Sequence, residues 1–281
     1  MKYKGTIKTQ KISPNPKRLA INAVRYATDE GGILTMRKEW LQEGQTQLSR
    51  DSNNRFSDYN RLSFLHLSMG DIQQIAFGDT KLCKDYFYQS AMYKSYACQY
   101  FNPQNTRNNG EVNLRALDYF EAAVIADAIE VAHKLGNQLL HANQNPMPPS
   151  VEKIEGALIH LFNGDDYQAK ENFDFIRKHQ DGQWTGSSVF DQINLYEALL
   201  EKNNQKFYDL FIDSLRQNRR DPNLVNFLDL LHIAIGKIAI KRGFELPIDT
   251  AACPQCLLQP EMRDYSHIKI YAPAEGFPWS N

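Results

Sequence analysis

Apolar residues recur at three- and four-residue spacing along most of the chain, which is the spacing that places side chains on one face of an α-helix. Strand-like character is rare, and only residues 268–271 show it. The pattern therefore predicts an all-α fold. The predicted helices span 18–48 with a break at Gly31 and Gly32, 61–77, 80–101, 114–141 with an interruption at Gly136, 154–162, 167–178, 190–200, 206–217 and 223–242.

A helix–turn–helix plan recurs in the second half of the chain. Residues 154–178 read as helix, turn and helix, and residues 190–217 repeat this plan about 38 positions later. Residues 72–93 have a related shape. Such recurrence is typical of stacked antiparallel helix pairs, as in tetratricopeptide arrays, although the Trp and Pro positions of that consensus are not filled. We therefore expect a helical-repeat-like, tetratricopeptide-like solenoid or bundle.

A stretch rich in proline and asparagine, from Asn143 to Ser150, is the predicted boundary between two halves. Prolines lack a backbone donor and fix φ, so we expect helices to stop there. The boundary gives an N-terminal helical half, 1–145, and a C-terminal half of helical hairpins, 146–281, with a Pro-rich tail. The alternative is that the stretch is packed and the chain is one continuous domain.

The last predicted helix has clear end signals. Asp221 and Pro222 predict its start as N-cap and first helical residue. Gly243 predicts its end, because glycine permits the left-handed backbone that closes a helix. Lys241 and Arg242 come just before it, where cations face the negative end of the helix dipole. We expect the tail beyond Glu245 to wrap around the body.

Composition narrows the class of protein. The chain has 281 residues, with 32 basic and 33 acidic side chains and a formal net charge of −1. This balance argues against a general nucleic-acid-binding protein, because such proteins carry a strong excess of positive charge. No run of 18 apolar residues predicts a transmembrane helix, and the N-terminus lacks the apolar segment of a signal peptide. We expect a cytoplasmic globular protein that binds neither nucleic acid nor membrane.

Catalytic motifs with known mechanics are missing from the sequence, which has no dinucleotide-binding or phosphate-binding glycine loop, nucleophile elbow or His-Glu-x-x-His pair. Ser150 and Lys153 match the Ser-x-x-Lys spacing of penicillin-recognising enzymes, but the partner motifs of those enzymes are absent. After two prolines, Ser150 is better interpreted as a helix N-cap. We therefore predict no enzyme activity and no cofactor.

Two patterns keep a metal or redox site open as an alternative. Cys253 and Cys256 form a Cys-x-x-Cys pair in the tail, which suits a structural role, half of a zinc site or thiol exchange. A zinc site needs two more ligands, and only His267 lies nearby in sequence. Glu130 and His133 have the Glu-x-x-His spacing of di-iron helices. The only near match to a second pair is Asp229 and His232, which has Asp in place of Glu. An all-α metal-dependent hydrolase is the function these residues would support.

The segment from Asp221 to Leu258 resembles the C-terminal end of the immunity protein 49 family of bacterial polymorphic-toxin systems. The resemblance rests first on a long apolar helix that ends at Arg242 and Gly243. A short acidic segment with Glu245 and Asp249 follows, and the motif ends with Pro254, Leu257 and Leu258. It implies an all-helical protein that binds and neutralises a cognate toxin delivered between competing bacteria. The family motif has no catalytic residues to transfer. A tetratricopeptide-like peptide-binding scaffold is the remaining alternative.

The predicted partner interface follows from charge. Toxins that act on nucleic acids carry basic clefts, and an acidic surface would speed and orient their binding. Residues 117–132 contain four acidic and no basic side chains, and an acidic turn and a Gly-flanked tryptophan follow later in the chain. The predicted interface residues are Asp118, Glu121, Asp127, Glu130, Asp165, Asp166 and Trp184.

Overall fold

The computed structural model of the protein describes residues 7–8, 16–30, 32–36, 39, 52–101, 116–141, 149–179, 187–217 and 227–270. Helices dominate these residues, as the apolar spacing predicts, and the all-α prediction is confirmed. The helices are α1 (Pro16–Thr28), α2 (Ser52–Ile72), α3 (Thr80–Gln99), α4 (Ala116–Ile125), α5 (Ile129–His141), α6 (Pro149–Asn163), α7 (Asp166–Lys178), α8 (Ser187–Leu200), α9 (Asn204–Gln217), α10 (Leu230–Lys241) and the short α11 (Gln255–Leu258), with a π-helix at Gln73–Phe77.

Helices α2 and α3 form the first hairpin. The π-helix after α2 ends at Gly78, whose φ of 67° is in the left-handed region, and the Asp79 carboxylate caps α3 by accepting from the Leu82 N–H at 2.9 Å. The two helices approach closely at Gly70, where an added Cβ would lie 2.4 Å from the Phe87 ring. Glycine at this position therefore lets the two helices pack together.

The two hairpins predicted from the repeat are confirmed, as α6–α7 and α8–α9. Both first helices end in the same way, with a left-handed residue at the turn, Gly164 at φ 79° and Lys202 at φ 54°. The next helix in each hairpin is capped by a side chain, since Asp165 accepts from the Gln168 N–H and Asn203 from the Lys206 N–H. Local turn chemistry thus fixes these hairpins.

The predicted helix at 114–141 is two helices, and Gly136 does not interrupt it. The break falls at Asp127, which adopts φ 61° and ends α4 as a glycine normally would. The Asp127 N–H donates to the Val124 carbonyl and the Ala128 N–H to the Ala123 carbonyl. Gly136 lies within α5 and faces Ile159, which would lie 2.8 Å from an added Cβ, so this position has no room for a larger side chain.

Helix α10 begins at Leu230, later than predicted from the sequence. The buried Asp71 carboxylate accepts hydrogen bonds from the N–H groups of Phe227 and Leu228, which holds this segment outside the helix. Asp229 is the N-cap, and Gly243 follows the helix end at φ 90°. The predicted cap at Asp221 and Pro222 lies outside the described residues.

The strand prediction at 268–271 is wrong over 268–270, which have no regular structure. The described strands are instead β1 (Ile7–Lys8) and β2 (Ile248–Asp249), which pair in parallel. Ser150 also differs from its prediction, because α6 already begins at Pro149 and Ser150 lies within its first turn. Tyr271 lies outside the described residues.

One hydrophobic core joins both halves of the chain. The largest cluster of buried side chains includes Phe87 and Phe120 from the first half and Leu158, Phe211 and Leu258 from the second. The tail contributes to this core, with Leu246, Ile248, Leu257 and Leu258 buried. The predicted boundary at 145/146 lies outside the described residues. In the described part of the chain, no helix is both long and apolar enough to cross a membrane.

Candidate partner-binding site

An open cleft of about 480 Å³ lies where the tips of the hairpins α6–α7 and α8–α9 meet the start of α5 and the end of α10. Its floor is apolar and its rim carries basic side chains. This size is typical of ligand-binding clefts. The lining residues are Ile129, His133, Leu161, Phe162, Asn163, Gly164, Asp166, Leu199, Lys202, Ile238, Lys241 and Arg242.

Helix ends place the basic residues at the rim. Lys202 occupies the left-handed position that closes α8, and Lys241 and Arg242 end α10. The negative end of a helix dipole favours cations at such positions, offsetting about half an elementary charge. Lysine in the left-handed region costs about 1 kcal/mol, because its Cβ crowds the following carbonyl.

Arg242 is the best-anchored cation of the cleft. Its Nη2 lies 2.8 Å from the Asp166 carboxylate and donates to the Leu161 carbonyl at 2.5 Å. About half of the Asp166 side chain remains exposed, so this ion pair sits at the mouth of the cleft. The geometry shows that a carboxylate fits against Arg242 at this rim.

Lys202 and Lys241, the other two cations of the cleft, have fewer polar contacts than Arg242. The Lys241 ammonium lies 5.6 Å from the centre of the Phe162 ring, and burial lowers the pKa of this lysine. Neither Lys241 nor Lys202 forms a salt bridge with any residue in the described part of the chain. With Arg242 paired to Asp166, the two lysines leave the cleft lining with a net positive charge, which Asp127 outside the lining offsets in part at Lys241.

A buried ion network beside the cleft fixes its walls. Lys84 and Lys237 both contact the same oxygen of Asp127, at 2.9 and 2.7 Å, and all three side chains are almost completely buried. Lys84 also pairs with Glu261 in the tail at 3.0 Å. Since Asp127 precedes α5 and Lys237 lies on α10, the network holds together the two helices that supply Ile129 and Ile238 to the cleft.

Burial governs the protonation of this network. Desolvation, followed by the neighbouring Lys84, lowers the pKa of Lys237 to about 8, while Asp127 opposes the shift. A buried lysine with a lowered pKa is often catalytic. Here the side chains of Lys84 and Lys237 have no exposed surface, so neither reaches a ligand, and the network is a structural tie.

The tail segment after α11 also contacts α3 through Arg263 and Tyr265. Arg263 pairs with Asp85 at 2.8 Å, both side chains being more than nine-tenths buried. The Tyr265 ring stacks on Tyr88 with centroids 4.1 Å apart, and its hydroxyl donates to the Ala126 carbonyl. The segment after α11 is thus locked onto the break between α4 and α5.

The acidic helix predicted as an interface is not a continuous exposed surface. Glu121 and Asp127 are 3% and 8% exposed, and the break at Asp127 separates them from Glu130. Helix α4 packs against α3 and α10, and the Asp127 carboxylate contacts Lys84 on α3 and Lys237 on α10. Glu121 and Asp127 are therefore corrected from interface to interior. Asp118 is half-buried, and Glu130 is exposed on α5.

The acidic turn reaches the cleft by way of Asp166. Asp165 next to it caps α7 and lies 3.5 Å from His160. Trp184 lies outside the described residues. Of the predicted interface, the structure therefore brings Asp166 to the cleft, whereas a role in partner binding for Asp118, Glu130, Asp165 and Trp184 stays a prediction.

The residues of the metal-enzyme alternative do not assemble into one site. His232 is buried, with Nδ1 2.9 Å from the Asp229 carboxylate and Nε2 3.0 Å from the Ser214 hydroxyl. His133 instead lies at the cleft, with Nδ1 2.7 Å from Asn163 Oδ1. In the ranges that the structure describes, no three His, Cys, Asp or Glu side chains are grouped to hold a metal ion.

The cysteines are free thiols. Burial raises the pKa of Cys253 and Cys83 well above the usual value, so neither is an activated nucleophile. Cys256 is exposed and accepts a hydrogen bond from the Thr80 hydroxyl at 3.2 Å. These contacts favour the structural interpretation of the Cys-x-x-Cys pair.

Sequence reasoning missed the basic rim of the cleft. Lys241 and Arg242 were recognised only as helix-ending cations, and the turn containing Lys202 only as a loop. The signal available was the repeat itself, because successive hairpins place alternate turns on one side of a stack. No family model, curated protein or solved structure matches the chain.

Proposed function

We propose that the protein is an immunity protein of a bacterial polymorphic-toxin system, which binds a cognate toxin and neutralises it by direct contact. The observation that carries the proposal is the open cleft at the hairpin tips, whose cations Lys202 and Lys241 have no salt-bridge partner among the described residues. An apolar floor with an unneutralised charged rim suits a protein partner. The proposed location is the cytoplasm of the protected cell.

The resemblance to the immunity protein 49 family supports the same function. Within the resembling segment, the described residues are mainly part of the scaffold, since Ile238, Leu246, Leu257 and Leu258 are buried. A shared scaffold with a separate recognition surface is what a family facing different toxins requires. Recognition then depends on cleft residues that the shared motif does not constrain, such as Lys202.

Neutralisation by binding needs a rigid surface and no catalytic group. The hairpin tips are held by side-chain caps, and the buried network holds α5 and α10 in place. A preorganised surface loses little conformational entropy on association, which favours tight binding. Such a complex could neutralise the toxin in either of two ways. The bound protein could cover the toxin's substrate site, or it could bind elsewhere and hold the toxin in an inactive conformation.

The test is co-expression with the toxin domain encoded by the adjacent gene. We expect restored growth of the host and co-purification of the two chains as a stable complex. A catalytically inactivated toxin serves as the control and should co-purify equally well, because binding does not depend on toxin activity. Protection without a complex would contradict the proposal and favour an enzyme, whereas a complex without protection would favour a peptide-binding scaffold.

A further inference from the structure

We infer that the cleft at the hairpin tips takes an acidic segment of the partner protein, with two carboxylates flanking an apolar side chain. The inference rests on the proposed function and adds the chemistry of the partner. It reverses the charge expected from the sequence, where an acidic surface was predicted to meet a basic toxin.

The distribution of charge around the cleft carries the inference. Lys202 approaches from the turn after α8, while Lys241 and Arg242 approach from the end of α10. Asp166 is the acidic residue of the lining, and Arg242 already pairs with it. Even after each helix end offsets about half a charge, the rim remains positive.

The floor of the cleft explains why the segment also carries an apolar side chain. Ile129 and Phe162 are partly exposed apolar side chains of the cleft lining. Leu161, Leu199 and Ile238 are buried beneath this surface. A volume of about 480 Å³ accommodates a few side chains of a docked segment. An apolar side chain would cover this floor while carboxylates reach the lysines on either side.

Carboxylates suit this rim better than phosphate does. The Arg242–Asp166 pair is an internal example of a carboxylate seated at the cleft, at 2.8 Å. The nearby N-terminus of α7 is occupied by its own Asp165, which accepts from the Gln168 N–H. A phosphate dianion would therefore meet Asp165 and Asp166 where helix N-termini normally offer it bare N–H groups.

The test replaces the two lysines that have no salt bridge. Lys202→Asn with Lys241→Gln removes two charges, and asparagine tolerates the left-handed backbone at position 202. The matched control is Lys170→Gln with Lys178→Gln, which removes the same charge from exposed positions on α7 outside the cleft. Circular dichroism should show unchanged helicity in both double variants.

Binding to the toxin domain is measured by calorimetry at two salt concentrations. We expect the cleft variant to bind about tenfold more weakly at low salt and to lose much of its salt dependence, while the control stays close to wild type. Equal affinities for the cleft variant and the control would overturn the inference and leave the proposed function standing. Failure of the wild-type protein to bind the toxin would instead overturn the proposed function.

A second measurement does not depend on the toxin. Fluorescence anisotropy compares a labelled Glu-Leu-Asp-Phe-Glu peptide with its Gln-Leu-Asn-Phe-Gln counterpart, and inorganic phosphate is tested as a competitor. We expect millimolar or tighter binding of the acidic peptide alone, lost in the cleft variant. Absence of this binding, equal binding of both peptides, or displacement by millimolar phosphate would overturn the assignment of an acidic protein segment.

Discussion

The shared carboxylate of Asp127 offers the sharpest test of what holds the molecule together. Asp127→Asn keeps the shape of the side chain and removes its charge, leaving Lys84 and Lys237 buried without the group that both contact. Asparagine also tolerates the φ of 61° at this position, so the backbone has no new reason to move. The change therefore isolates the charge.

The expected loss of stability is about 3–5 kcal/mol, the usual cost of removing one partner from a buried ion pair. That is a large part of the total stability of a typical domain. Asp127→Ala should cost about 1 kcal/mol more than Asp127→Gly, because alanine is strained in the left-handed region. The comparison separates the backbone contribution from the electrostatic one.

The dependence on pH gives a second signature. The folded pKa of Lys237, about 8, lies below the ordinary value of a lysine, so the folded state gives up this proton first. Stability of the wild type should therefore rise by about 3 kcal/mol between pH 8 and pH 10.5. Without Asp127, which opposes the lowering, the rise should start at lower pH and be larger.

Urea unfolding followed by circular dichroism at 222 nm, from pH 7 to pH 10.5, measures both effects. The reasoning is refuted if Asp127→Asn lies within 1 kcal/mol of wild type at pH 7. It is equally refuted if the pH dependence of the variant matches that of the wild type. The control is Asp213→Asn, which removes the same charge from an exposed aspartate whose partner Arg216 is also exposed.

Three further changes test other parts of the fold by the same unfolding assay. Burial and nearby acidic groups raise the pKa of Glu155 from 4.5 to about 7, so its contribution to wild-type stability should fall between pH 4.5 and 7. Glu155→Gln should abolish this fall and gain about 3 kcal/mol at pH 8. Gly70→Ala should cost about 1–3 kcal/mol through overlap with Phe87, and a smaller loss would mean that this ring moves aside readily. Arg263→Met should cost about 3 kcal/mol by leaving the buried Asp85 with only the half-exposed His267 beside it, and an unchanged midpoint would show that Arg263 does not hold the tail there.

Local information was sufficient for the helical hairpins. In α6–α7, the apolar spacing, a glycine for the left-handed turn and an aspartate for the cap all lie within a few residues of one another. In α8–α9, the apolar spacing and the Asn203 cap are equally local, although the left-handed position is held by Lys202 and not by a glycine. Agreement between short-range signals explains why these elements were predicted correctly.

Long-range contacts decided the elements that were mispredicted. Nothing near Asp127 in sequence signals a helix end, and its partner Lys84 lies 43 positions away. The delayed start of α10 depends on Asp71, which is 156 positions from the Phe227 N–H that it binds. A pattern read along the chain contains neither contact.

The interface prediction failed at Glu121 and Asp127 for a related reason. An acidic residue without a nearby base looks solvated in sequence, but Asp127 receives its counter-charges from α3 and α10. The basic cleft could not be predicted from the sequence either, because its cations come from separate helix ends that only folding brings together. Asp166 is exposed and lines the cleft, as expected for a residue at a hairpin tip, and its role in partner binding stays a prediction.

A net charge of −1 therefore says little about the sign of any one surface. In the network beside the cleft, Lys84, Lys237 and Arg263 contact the carboxylates of Asp85, Asp127 and Glu261. Asp127, which the sequence suggested for the surface, is one of these paired groups. The charge presented to a partner is then set by side chains outside the network, which at the cleft include Lys202 and Lys241. The proposal of an acidic partner depends on which charges are paired, not on how many the chain contains.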